Sequence, residues 1–505
     1  MMKSGSSFVR ILLVAALTIA LAACNGGGGA PTPKATGSAL QTHDCIIGTS
    51  KTPSICGSLR VYENREAESG RTIDIHFVVL KAKKPTDRAI FFNPGGPGAG
   101  ATQFAGFIAD GAFEKFLPRL RDSYNIVFVD NRGTGLSHPL QCDFFSASDP
   151  QNYFMQIWPD AQLKSCRAQL AQGADLSYYA TDYAADDLDD IRAALGYPKI
   201  ALSGASGGTT FFLDYARRHP THVESLVLEG VAPPHMLIIP LQDAQGGQLA
   251  MDHIATDCEH DAACSAHFPH FRAQFTALVD RLAAGPIPIE VENTKTHKLQ
   301  KVMLSRQVFG DRLRQALYSN GTAAYVPYVI DQASSGNYVP LGTLIESSAD
   351  GLASIISEGD NLSVTCAEDI PFITDSAVKQ TSGNSFIGDS RVRAQQHACD
   401  IWDVKPVAAA FQDPVRTTLP VFMISGTDDP TTPPQFGTEE LAYLPNGKQL
   451  LIANASHDTE TDCADALAER FIRQGSAKGL DTSSCAATYH RPEFATSMAG
   501  FGSAD

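Results

Sequence analysis

The sequence predicts an α/β fold: a mostly parallel central sheet with a largely helical cap inserted between core strands. Three observations predict it. Short, fully apolar runs alternate with amphipathic stretches, the pattern of a parallel sheet covered on both faces. The alternation fades between residues 235 and 415 and then resumes. Several apolar runs end in Gly- or Asp-rich loops, placed where the carboxyl ends of such strands carry working groups. The chain has 505 residues, 43% hydrophobic and 19% charged, enough for a large core and unlike a disordered chain.

The N-terminus reads as an export signal. Lys3 and Arg10 form its basic region, and residues 11–23 (ILLVAALTIALAA) its apolar run. That run is too short for a bilayer span of about 20 residues and suits a signal peptide. Leu21-Ala22-Ala23-Cys24 has the form of a bacterial lipobox, in which Cys24 is lipidated and opens the mature protein. The alternative is plain cleavage after Ala23. Residues 25–39 (NGGGGAPTPKATGSA) have the composition of a flexible tether. Asn25 does not match the Asp of an inner-membrane retention signal. The expected organisation is therefore a signal peptide at 1–23 and a lipid anchor with tether at 24–44. The protein is expected to be exported and held by its lipid to a membrane facing the periplasm or the cell exterior.

The body follows in two core parts, 45–234 and 416–505, with the cap at 235–415. Strands are predicted at 59–62, 72–80, 88–93, 125–130, 199–203, 223–228, 420–425 and 449–453, from β-branched, aromatic and apolar runs. Helices are predicted at 182–195, 209–219 and 464–474. In the first, Leu188, Ile191 and Leu195 make one apolar stripe. Its acids Asp186, Asp187, Asp189 and Asp190 are read as a solvated face rather than a cation site.

Of 11 cysteines, ten remain after Cys24, an even number that favours disulfides in an exported chain. Nearest-neighbour pairing is the simplest scheme: Cys45 with Cys56, Cys142 with Cys166, Cys258 with Cys264, Cys366 with Cys399, Cys463 with Cys485. A metal site at Cys258 and Cys264, near His260, His267 and His270, is the alternative, but the spacing fits no zinc pattern. Lys plus Arg number 39 against 55 Asp plus Glu, a formal charge of −16, which disfavours a nucleic-acid partner. Nothing calls for a cofactor or a metal.

The chemistry concentrates at four loops. Gly204-Ala205-Ser206-Gly207-Gly208 follows a strand and precedes a helix, the setting that gives G-x-S-x-G its meaning. A serine on that sharp turn is exposed, and the helix N-terminus favours a developing oxyanion. Its hydroxyl needs a base, and the base an orienting acid. Asp429 leaves the strand 420–425 and His457 the strand 449–453, in the chain order Ser, Asp, His that this elbow requires. Asp428 is the rival acid. The glycines of 93–100 (NPGGPGAG) let backbone N–H groups approach an oxyanion; Gly96 and Gly207 are the expected donors. As a phosphate loop the segment fails, lacking Gly-Lys-Ser/Thr.

These segments carry a resemblance. Gly95-Gly96-Pro97-Gly98, residues 130–137 (DNRGTGLS), the Ser206 elbow and 426–434 (GTDDPTTPP) together resemble the prolyl aminopeptidase family of α/β-hydrolases, closest to its secreted tripeptidyl-aminopeptidase-like branch. The likeness runs from about Cys56 to Cys485. Residues 364–371 (VTCAEDIP) are similar to a cap motif of that branch. The resemblance implies an α/β-hydrolase fold and an aminopeptidase releasing one to three residues from short peptides with a free N-terminus. It implies that cap carboxylates bind the α-ammonium, with Glu368 first and Asp369 second. It gives Asp130 and Arg132 a role in shaping their turn. Three departures bear on substrate preference: Gly207 stands where the branch has Tyr, Asp458 follows His457 where it has Gly, and Asp428 precedes Asp429. A carboxylesterase or lipase of the same fold would use the same triad, and a non-catalytic lipoprotein is the third alternative.

Overall fold

The computed structural model describes residues 40–145, 150–293 and 296–501. The expected signal peptide, Cys24 and most of the expected tether lie outside the described residues. Nine strands form one sheet in the order β1-β2-β3-β5-β4-β6-β7-β10-β11. They are β1 (Leu40–Ile47), β2 (Thr52–Tyr62), β3 (Thr72–Leu80), β4 (Ala89–Asn93), β5 (Asn125–Val129), β6 (Ile200–Ala205), β7 (Val223–Glu229), β10 (Val421–Gly426) and β11 (Gly447–Ile452). From β5 to β11 every neighbouring pair is parallel; β1, β2 and β3 add an antiparallel edge. β8 (Ile287–Glu292) and β9 (Leu299–Leu304) form a separate antiparallel hairpin.

The strand sequences follow from their place. Every residue of β4 and β10 is buried, so AIFFN and VFMISG need no polar face. β3 alternates exposed and buried over its first residues, then is buried on both faces as it passes under the helices. The edge strand β1 (LQTHDCII) is mostly exposed and carries little apolar signal. It begins at Leu40, inside the stretch expected to be tether, and this is a correction of that boundary. The disulfide Cys45–Cys56 fastens β1 to β2.

Helices cover both faces. Thr181–Ala194 buries Leu188 and Ile191 against the sheet. Asp462–Gln474 starts at Thr461, whose hydroxyl accepts from Ala464 N at 3.1 Å, and stops at Gly475 with φ 62°. Its Phe471 ring lies 5.7 Å from that of Phe422 in β10.

β7 and β10 pair directly, yet almost two hundred residues of chain lie between them. That chain is mainly helical, with the β8–β9 hairpin as its one sheet element among the described residues. It has its own apolar centre, including Met251, Phe271, Leu304, Phe309, Leu313 and Leu341. All five disulfides pair nearest neighbours, with Cα–Cα distances of 5.1–5.8 Å. Cys258 and Cys264 are bonded to each other, so neither is a thiolate ligand. Among the described residues no helix is long and apolar enough to cross a membrane.

Candidate active site

The carboxyl ends of β4, β6, β7, β10 and β11 converge on one cavity of about 250 Å³, lined among others by Gly96, Ser206, Tyr318 and His457. Ser206 sits between β6 and the helix Gly207–Arg218 with φ 53° and ψ −126°, a strained conformation for a residue with a side chain. Its N–H donates to Glu229 O at 2.8 Å, anchoring the turn to the end of β7. The glycines are steric necessities: a Cβ on Gly208 would stand 2.4 Å from Asn93 O, and one on Gly207 2.8 Å from Gly96 O. A side chain at Gly207 would therefore require the glycine loop to shift.

The loop itself needs positive φ at Gly95, Gly96 and Gly98. Asn93 Oδ1 accepts from Gly95 N at 2.9 Å. The cap supports its far side: Asn361 Nδ2 donates to Pro97 O at 3.1 Å and Ser357 N to Gly98 O at 2.9 Å. Behind it, Asp130 accepts from Thr102 N, Thr102 Oγ1 and Leu136 N at 2.8–2.9 Å, the turn-shaping role expected of it. Arg132 is fully buried and forms a two-pronged pair with Asp187 at 2.7 and 2.8 Å. The acidic helix is therefore not a solvated face. Asp187 is buried against Arg132, while Asp186, Asp189 and Asp190 pair with Arg218, Arg192 and Arg65. Asp189, His219 and His222 have ligand-type atoms within 4.8 Å of one another. The Asp189 carboxylate, however, is already occupied by Arg192, Tyr215 and His222.

His457 Nδ1 lies 2.7 Å from Asp429 Oδ2. Asp429 is fully buried; its Oδ1 accepts from Thr431 N and Thr432 N, both at 2.8 Å, and its Oδ2 from Thr432 Oγ1 at 2.7 Å. Burial alone would raise its carboxyl, but the charge of His457 and the hydrogen bonds from His457 and Thr432 outweigh it and hold the carboxyl below the usual range. For His457, burial pulls the imidazole down, and the charge and hydrogen bond of Asp429, then the charge of Asp458, lift it above its ordinary value. Asp428, the rival acid, instead meets His253 at 2.7 Å and Arg491.

Glu368 and Asp369 line a second cavity, together with Pro97, Gly207 and Thr210. Glu368 accepts from Thr181 N at 2.5 Å and Thr181 Oγ1 at 3.0 Å, capping the helix Thr181–Ala194. Asp369 accepts no side-chain hydrogen bond from the described residues. Burial holds both carboxyls well above the ordinary range. Sequence reasoning missed the charged wall of the main cavity: Asp243, Asp311, Arg312, Arg314, Arg391 and Glu358. Isolated charges scattered over 150 residues of cap carry no local signal.

A mostly parallel sheet with a strained Ser at the elbow and a His–Asp pair in the loops after the last two strands is the arrangement of the α/β-hydrolase fold. Comparison with known proteins agrees. The family model described as alpha/beta hydrolase fold matches residues 88–259, and the model described as TAP-like protein matches 384–485. Serine protease Hip1 of Mycobacterium tuberculosis is 24% identical over 450 residues, covering 80% of this chain and 81% of that protein. Tripeptidyl aminopeptidase of Streptomyces lividans is 31% identical over 161 residues, 29% of each chain. Carboxylesterase B of M. tuberculosis is 25% identical over 456 residues, covering 83% and 84%. The chain is a hydrolase of the α/β family with a TAP-like C-terminal region.

Proposed function

We propose that the chain is an exported serine aminopeptidase, releasing one to three residues from peptide N-termini through an acyl-enzyme. The observation that carries this is the Asp429–His457 hydrogen bond of 2.7 Å, on a cavity shared with Ser206. Ser206 Oγ attacks the scissile carbonyl while His457 Nε2 takes its proton. Asp429 holds the imidazole by Nδ1 and stabilises the imidazolium. The N–H groups of Gly96 and Gly207 receive the oxyanion. Collapse breaks the C–N bond, and the leaving amine takes the proton from His457. Water, deprotonated by the same imidazole, then hydrolyses the ester on Ser206.

The N-terminal ammonium would dock at Glu368 and Asp369, beside Gly207. Asp369 is the freer of the two, since Glu368 is already engaged by Thr181. An arriving ammonium would draw the raised carboxyl into its ionised form. Five disulfides support export, and Cys24 would supply the lipid anchor.

Turnover of Pro-, Ala- and Ala-Ala-Pro-type reporters, free and N-acetylated, tests the reading beside a short-chain ester. Activity on free but not acetylated peptides is expected, with Asp369→Asn lowering peptide turnover more than ester turnover. Activity on the ester alone would instead establish a carboxylesterase, the reading favoured by the likeness to Carboxylesterase B over 83% of the chain.

A further inference from the structure

The loop that carries His457 is built onto the cap as well as onto the sheet. His457 N and Asp458 N both donate to Tyr318 O, at 3.1 and 3.3 Å. Ser456 Oγ donates to Leu317 O, and Asn320 Nδ2 to Asn454 O at 2.7 Å. The Tyr318 ring packs 5.1 Å from the imidazole. Its hydroxyl accepts from Arg314 at 2.6 Å, and Arg314 also donates to Thr431 Oγ1 at 2.7 Å, in the loop that holds Asp429. One cap segment, 314–320, thus touches both the base loop and the acid loop.

Asp458 completes this grip. Its Oδ2 accepts from Ser319 Oγ at 2.9 Å, and its Oδ1 is shielded from solvent.

We propose that Asp458 is a positioning residue for the base: hung from the cap by Ser319, it fixes the His457 loop and adds a second negative charge next to the base. The inference rests on the triad reading above. When Ser206 gives up its proton, the positive imidazolium is met by Asp429 at Nδ1 and feels the charge of the adjacent Asp458 as well. Arg314 opposes it from the cap, and Glu460 and Tyr489 are the other titratable groups that feel Asp458. The direction of the charges supports the geometry. Burial holds the Asp458 carboxyl up at about 6, against the lowering effect of Ser319 and of His457.

The test is the pH profile of kcat/KM for the full chain and for Asp458→Asn, Asp458→Glu and Ser319→Ala. The pH dependence of fluorophosphonate labelling is read in parallel, with the labelled residue located by mass spectrometry. Removing a negative charge lowers the imidazole pKa, so Asp458→Asn should move the acid limb down by about half a pH unit or more and lower kcat several-fold. Asp458→Glu should restore the limb. Ser319→Ala removes a hydrogen bond that favours the carboxylate, so its limb should move the same way. An acid limb that stays in place while kcat falls would reduce Asp458 to a structural residue and overturn the proposal. If Asp458→Asn does not fold, an unmoved limb in Ser319→Ala overturns it equally. Labelling at a residue other than Ser206 would refute the triad instead, and the labelling rate reports the base whether or not peptides are the substrate.

Discussion

Asp428 and Asp429 are neighbours in one loop, and their partners separate them. Asp428 faces His253 and Arg491, while Asp429 faces Thr431, Thr432 and His457. The sequence favours Asp429 with Asp428 as its rival, since both follow one apolar strand; the structure separates them by partners 28 to 175 residues away. Asp429→Asn makes a defined prediction. Oδ1 is pinned by two N–H donors, so the replacement amide keeps its oxygen there and turns its NH2 toward His457 Nδ1. That forces the imidazole proton onto Nε2, where it blocks the base. The expected result is a kcat loss of about 10⁴-fold with the melting temperature little changed. A loss of only a few fold would remove Asp429 from the mechanism. Asp428→Asn, by contrast, leaves the tautomer alone and loosens a link between cap and core.

At the scale of elements, the legible parts are those whose environment is uniform. β4, β5, β6, β7 and β10 are buried on both faces, and their apolar runs announce them. β1 lies exposed at the sheet edge, and β8–β9 alternate buried with exposed residues within a helical region, so neither offers a continuous run. The helix Thr181–Ala194 was legible as a helix, but the purpose of its acids was not. Asp187 answers to Arg132, 55 residues earlier, and the helix N-terminus to Glu368, 187 residues later. Because the Arg132–Asp187 pair is buried and doubly hydrogen-bonded, removing one partner strands a charge. Asp187→Asn should cost about 3–5 kcal/mol, read from chemical denaturation. Arg132→Lys should cost a large part of that, since an ammonium cannot reproduce the planar fork. A solvated face would give a change near zero for either.

At the scale of the whole molecule, the cap supports two loops of the proposed site. The proposed oxyanion loop leans on Ser357 and Asn361, and the loop of His457, the proposed base, on Tyr318 and Ser319. The motif loops that suggested the chemistry all belong to the core; what holds two of them comes from the cap, through backbone carbonyls and short polar side chains without any motif. The bond Cys366–Cys399 ties the helix Glu358–Glu368, which carries Asn361, to the helix Ser390–Trp402. It closes a loop of sequence separation 33, worth about 3–4 kcal/mol against the unfolded chain. Replacing both cysteines by serine frees the support of the oxyanion loop before it frees the sheet. Activity should therefore be lost on heating several degrees below the loss of helical signal. The bond Cys463–Cys485 joins the last helix to the C-terminal segment, whose Ala486 O accepts from Ala453 N at 2.8 Å, and ties neither Ser357 nor Asn361, the supports of the oxyanion loop. Its removal should lower both transitions together. Parallel loss in both double variants would mean that the cap merely covers the site. A gap confined to the Cys366–Cys399 variant would mean that the cap holds the oxyanion loop in its working shape.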